Sequence, residues 1–137
     1  MPVENDFKLT IINSNAHSLC PKMNSLITCF DELSATFGVI TETWLTDGKE
    51  LEDDIVDLQG RAGLNMITKN RPLNAQGYSH GGVAVIFNEA STSFTELKLR
   101  NPESYEVLVA TGRLVGFSRP VIIVACYIPP GYSTRYP

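Results

Sequence analysis

The feature that most constrains this chain is an apolar run that ends on an isolated acid. Phe37-Gly38-Val39-Ile40 leads directly into Thr41-Glu42-Thr43-Trp44-Leu45. The run is short, partly β-branched and without a helical period, which predicts a buried strand over Phe37 to Thr41. A strand buried on both faces is apolar throughout, so a carboxylate where it emerges needs a reason. On a continued strand Thr41 and Thr43 would point to the face opposite Glu42. In open α/β sheets the rim where strands end is where ligands bind. Glu42 is therefore either a solvated strand-end acid or part of a site.

A second strand-like stretch, Phe7 to Ile12, precedes Asn13-Ser14-Asn15-Ala16-His17-Ser18-Leu19. The asparagines suit the turn conformations with which a chain leaves a strand. The segment from Asn15 to Glu42 is long enough for a crossover helix and a return strand, so the two strands can be parallel neighbours. That helix is legible. Pro21 suits a first helical position, and Met23, Leu26, Ile27, Phe30 and Leu33 share one face. Asn15 and Glu42 would then lie side by side at one rim, with Asn13 as the competitor for the asparagine's place.

Charge bears on what the chain can bind. The net charge of −4 is uneven. Residues 1–60 hold 3 Lys and Arg against 11 Asp and Glu, and residues 61–137 hold 8 against 4. Overall acidity counts against strong phosphate binding by the chain's own cations, but clustered carboxylates can gather Mg²⁺, which then meets the phosphate. Cys20, Cys29 and Cys126 show no metal-ligand spacing, and an odd count argues against a disulfide framework. They are expected as buried free thiols of an intracellular protein. The longest apolar stretch, Val121 to Tyr127, is strand-sized, so no membrane span is expected, and no signal peptide is seen.

From Thr46 to Gly60 the chain is acidic, with Asp47, Glu50, Glu52, Asp53, Asp54 and Asp57 against Lys49. Its spacing is not that of a Ca²⁺ loop. A solvated surface loop with at most one helical turn is expected, anchored by Leu51, Ile55 and Leu58. Asn65 to Thr68 and Gly81 to Phe87 read as strands, with a Gly- and Pro-punctuated loop from Arg71 to Tyr78 between them. The paired Gly81 and Gly82 would let the backbone approach a neighbour closely. Ser93 to Leu99, Tyr105 to Val115 and Pro120 to Tyr127 follow as antiparallel strands, with a turn at Asn101-Pro102. Pro129 and Pro130 then end the ladder. One βαβ unit followed by several closely spaced strands predicts a mixed α/β sandwich.

With these residues in place, the chain resembles the N-terminal part of an endonuclease/exonuclease/phosphatase domain, the fold of abasic-site endonucleases and pancreatic-type deoxyribonucleases. The likeness is closest to the endonuclease of non-LTR retrotransposons. That branch has a first motif Asn-Ala-Arg-Ser-Leu and a second Thr-Glu-Thr-Trp-Leu. The second stands here at Thr41 to Leu45, and the first at Asn15 to Leu19 with His17 in place of Arg. A Gly-Gly-Val-Ala strand follows a basic residue in the branch, and His80 holds about that place. The branch's Tyr before a Pro-Pro pair is matched by Tyr127, while Ile128 departs from the usual residue.

The resemblance implies an α/β fold, the N-terminal portion of a four-layer DNase I-like sandwich with a mixed sheet and flanking helix. Residues 1–137 would form a partial domain. It implies Glu42 and Asn15 as ligands of Mg²⁺ (or Mn²⁺), Tyr127 as a further catalytic group, and His17 and His80 as substrate contacts. Trp44 is expected as packing beneath Glu42. The implied partners are DNA and a reverse transcriptase segment of a longer parent protein, acting in the nucleus. The family's later Gly-Asp-Phe-Asn and Ser-Asp-His stretches, which supply the water-activating groups, do not occur in the sequence. The expectation is thus a fragment without activity of its own. Its main strands, taken as one sheet, would leave an apolar inner face open to water. Three classes stand: an incomplete metal-dependent nuclease, a non-catalytic interaction module derived from one, and a phosphatase of the same superfamily.

Overall fold

Two helices and seven strands form where local patterning favours them, and the computed structural model describes them over residues 8–71, 80–99 and 106–128. In chain order they are β1 (Ile11–Asn15), α1 (Met23–Leu33), β2 (Phe37–Thr41), α2 (Lys49–Ala62), β3 (Leu64–Lys69), β4 (Val83–Asn88), β5 (Thr92–Glu96), β6 (Glu106–Leu114) and β7 (Val121–Tyr127). A 3-10 turn, Cys20–Lys22, carries Pro21 and leads into α1. The expected segments 1–6, 72–78, 101–102 and 129–131 lie outside the described residues.

The strands divide into two sheets. Sheet A runs β1-β2-β4-β3 and sheet B runs β5-β6-β7. β1 and β2 are parallel, with Asn15 level with Thr41, as the crossover predicts. The other pairings of sheet A, and both pairings of sheet B, are antiparallel. β4 sits at the centre of the packing. Its Ala84 and Ile86 face the helices, beside Leu26, Phe30, Leu51 and Leu58. Its Val83, Val85 and Phe87 face sheet B, beside Phe94, Leu108, Ala110 and Ile123. Burial on both faces is why the Val83–Phe87 run shows no alternation. Phe94 meets Phe37 and Phe87 edge-on, at centroid distances of 5.7 and 5.5 Å, an arrangement that favours the ring quadrupoles.

Several expectations are corrected. The main strands do not form one open sheet. β6 and β7 belong to sheet B and cover the inner face of sheet A, so that face is not open to water. The acidic segment is not a loop but the 14-residue helix α2. Leu51, Ile55 and Leu58 recur at helical spacing and pack on the core, and the acids occupy the solvent side. Glu50 and Glu52 in its first turn suit the helix dipole, and Gly63 closes it at φ 63°. β1 begins later than expected and includes Asn13-Ser14-Asn15. Among the described residues it is an edge strand, and four of its five residues are exposed. Cys20, Cys29 and Cys126 are exposed, not buried. Leu33 is likewise 55% exposed at the end of α1. No helix among the described residues is long and apolar enough to cross a membrane.

Candidate functional site

The rim beyond β1, β2 and β4 is built by backbone. β2 ends at Thr41, and the ladder continues through non-strand residues. Ala16 N–H donates to Thr41 O at 2.8 Å, Ser18 N–H to Glu42 O at 3.0 Å and Leu19 N–H to Thr43 O at 2.9 Å. On the other side Trp44 N–H donates to Gly81 O at 2.8 Å and Thr43 N–H to Gly82 O at 3.4 Å. The Lys22 ammonium donates to the carbonyls of Ala16 and His17, closing the first loop. The chain does not stay extended beyond Thr41. Glu42 and Trp44 have φ of 51° and 57°, and His17 and Ser18 have 48° and 84°. These are four of the five non-glycine residues with positive φ among the described residues. Left-handed backbone costs about 1–2 kcal/mol per non-glycine residue, and such strain collects at functional sites.

This backbone aims Glu42 at three of the residues singled out from the sequence. Asn15 Nδ2 donates to Glu42 Oε2 at 2.6 Å. His17 Nδ1 lies 3.5 Å from Glu42 Oε1. Tyr127, at the end of β7, stands near the same carboxylate. The Asn15 amide, then the His17 and Tyr127 side chains, hold the Glu42 carboxyl below its ordinary range. Tyr127 is pushed up, first by desolvation and then by the negative charge of Glu42. Trp44 contacts both imidazoles, with ring centroids 4.5 Å from His17 and 4.5 Å from His80. His80 thus joins the cluster through the indole. Beyond packing, Trp44 carries both histidines.

Two charged residues that the sequence reading passed over also stand at this rim. Glu106, level with Tyr127 on β6, accepts from Gly82 N–H at 2.6 Å and from Arg71 Nη2 at 2.9 Å. A carboxylate opening the apolar run Val107 to Ala110 was the available signal. A cavity of about 840 Å³ lies at the opposite end of sheet A, between residues such as Phe30, Thr36 and Asn88, and none of the rim residues lines it.

The donor set bears on a metal. Glu42 is a hard oxygen ligand, and Mg²⁺ is held by one or two carboxylates while keeping several waters. Glu42 with the neighbouring Asn15 amide fits that pattern. Among the described residues, no group of three or more His, Cys, Asp and Glu side chains could form a fuller cage.

The chain has the mixed α/β architecture of DNase I-like AP endonuclease folds, with two facing sheets and helices flanking one of them. Its structural neighbours are enzymes of the endonuclease/exonuclease/phosphatase type. One is a 3′ phosphatase, NExo, from Neisseria, solved bound to a product DNA hairpin. It matches with a TM-score of 0.55 and 18% identity, over 84% of this chain and 40% of that one. Another is the AP endonuclease LMAP from Leishmania major, with a TM-score of 0.52 and 17% identity, over 93% of this chain and 44% of that one. The chain therefore spans less than half the length of either. No family model matches the sequence, and no curated protein matches it.

Proposed function

We propose that residues 1–137 form the N-terminal part of a Mg²⁺-dependent (or Mn²⁺-dependent) DNA endonuclease domain of the non-LTR retrotransposon kind. The convergence of Asn15, His17 and Tyr127 on Glu42 carries this reading. The wording of Thr41 to Leu45 supports the retrotransposon branch, and the likeness to an AP endonuclease and a DNA-bound 3′ phosphatase supports phosphodiester chemistry on DNA. Glu42 and Asn15 would hold the metal, which when bound supplies charge stabilisation at phosphoryl oxygens.

The chain's own groups do the rest of what this part of the site offers. Asn15 fixes the Glu42 carboxylate and favours its ionised form. Tyr127 donates a hydrogen bond to a phosphate oxygen where negative charge grows. His17 and His80, set by Trp44, offer N–H donors to flanking phosphates. The groups that activate water are not among these residues, so in our reading the chain binds metal weakly and does not nick DNA alone. Its partner within a longer parent protein would be a reverse transcriptase segment, and its place of action the nucleus.

Mn²⁺ titration followed by electron paramagnetic resonance tests the metal assignment. Binding by the wild type that is lost in Glu42→Gln is expected. Equal binding by both proteins would move the ion to the acidic face of α2. Nicking of plasmid DNA is expected only from a chain extended through the later motifs. The neighbouring 3′ phosphatase favours one second reading, in which the same residues serve phosphomonoester hydrolysis. Release of inorganic phosphate from a 3′-phosphorylated oligonucleotide, without nicking, would select it.

A further inference from the structure

We propose that Glu106 is a positioning residue for Glu42, acting with Arg71 through the backbone of Gly81 and Gly82. It rests on the reading of Glu42 as the centre of the site. Glu106 stands on sheet B, yet its carboxylate is committed to sheet A. Oε1 accepts the Gly82 N–H at 2.6 Å, and Oε2 accepts the Arg71 guanidinium at 2.9 Å. Both bonds involve a charged group, which makes them stronger than neutral ones.

The consequence passes along the backbone. Gly81 and Gly82 have φ of 104° and 91°, a conformation that side-chain-bearing residues rarely adopt. In that conformation their carbonyls accept from Trp44 and Thr43. Those two residues directly follow Glu42, and Trp44 shares its left-handed backbone. The fit leaves no room for a Cβ. At Gly81 it would lie 2.7 Å from both Arg71 Cζ and Glu106 Oε1, and at Gly82 2.5 Å from Thr43 Oγ1. The glycine pair is thus clamped between the Glu106–Arg71 pair and the Thr43–Trp44 backbone. Releasing Gly82 N–H frees the carbonyls that hold Trp44 and Thr43, and with them the Glu42 turn.

A second pair bridges the sheets without touching this turn, which supplies the control. Lys69 Nζ lies 3.8 Å from Glu96 Oε2, between β3 and β5. Glu106→Gln keeps the size of the side chain but offers one acceptor where two are needed. In the metal-free protein, the Trp44 amide should exchange with solvent about tenfold faster or more, the factor carried by one hydrogen bond to a charged group. The Gly82 amide proton should move upfield, and the emission of Trp44, the chain's single tryptophan, should shift. Glu96→Gln should leave all three unchanged, and Arg71→Gln should give a smaller change of the same sign as Glu106→Gln. Unchanged Trp44 exchange in a folded Glu106→Gln protein overturns the proposal, as does an equal change in Glu96→Gln. The readouts need no metal, so they are independent of the Mn²⁺ result. Loosening at Trp44 in a protein that binds no Mn²⁺ supports the positioning role while removing the metal reading.

Discussion

Sheet A and sheet B are built from similar residues, yet they are buried differently. On β4, Val83, Ala84, Val85 and Ile86 are all 0% exposed. On β7, Ile123 and Ala125 are buried at 8% and 2%, while Ile122 and Val124 between them are 65% and 63% exposed. The difference is not in the strands. Sheet A has α1 and α2 on one side and sheet B on the other. Sheet B, among the described residues, has a packed neighbour on one side only. Apolar character thus marks a strand, and the layers around it decide whether one face or two are dry.

The largest test of this contrast is a pair of truncations. Ile86→Ala should cost about 2–5 kcal/mol, since it removes buried atoms and leaves a cavity. Val124→Ala on the outer face of β7 should stay within about 0.5 kcal/mol, as exposed substitutions do. Urea denaturation of the two variants measures both, and equal costs would mean that the outer face of sheet B is covered in solution.

A smaller effect sharpens the contrast at the rim of sheet A. Gly82→Ala should destabilise by about 1–3 kcal/mol, because a Cβ meets Thr43 and the backbone is left-handed. The same exchange at Gly60, inside α2 with nothing near its Cβ, should instead stabilise by up to about 1 kcal/mol. Thermal melts that moved in the same direction for both would break this account.

The smallest effect is electrostatic. The Glu42 carboxyl is held below its ordinary range, first by Asn15. A depressed carboxyl favours the folded state above its unfolded-state value, and the contribution fades as pH falls through its folded-state value. Carbon-13 NMR should show Glu42 titrating below the ordinary value of a glutamate, with its midpoint rising in Asn15→Ala. A midpoint unchanged by that substitution would separate the two side chains in solution.

Much of the site was legible because it lies at strand ends marked by composition. The Phe37–Ile40 run, the Asn15 and Glu42 positions and the parallel β1–β2 pairing all follow from local patterning and the length of the crossover. So do the buried Leu26 and Phe30 and the tight approach at Gly81-Gly82. The helix α2 was also present in the spacing of Leu51, Ile55 and Leu58, but the acids on its solvent face obscured it. The exposure of Cys126 was not legible, because it depends on which side of sheet B another layer packs. Nor was the division into two sheets, because antiparallel strands read alike whichever sheet they join. The left-handed turns at Glu42 and Trp44 and the reach of Glu106 to Gly82 also needed the assembled molecule. Periodicity is set by neighbours along the chain, which the sequence by itself determines. Sheet membership, strained turns and long-range hydrogen bonds are set by groups brought together across it, which only the tertiary structure decided.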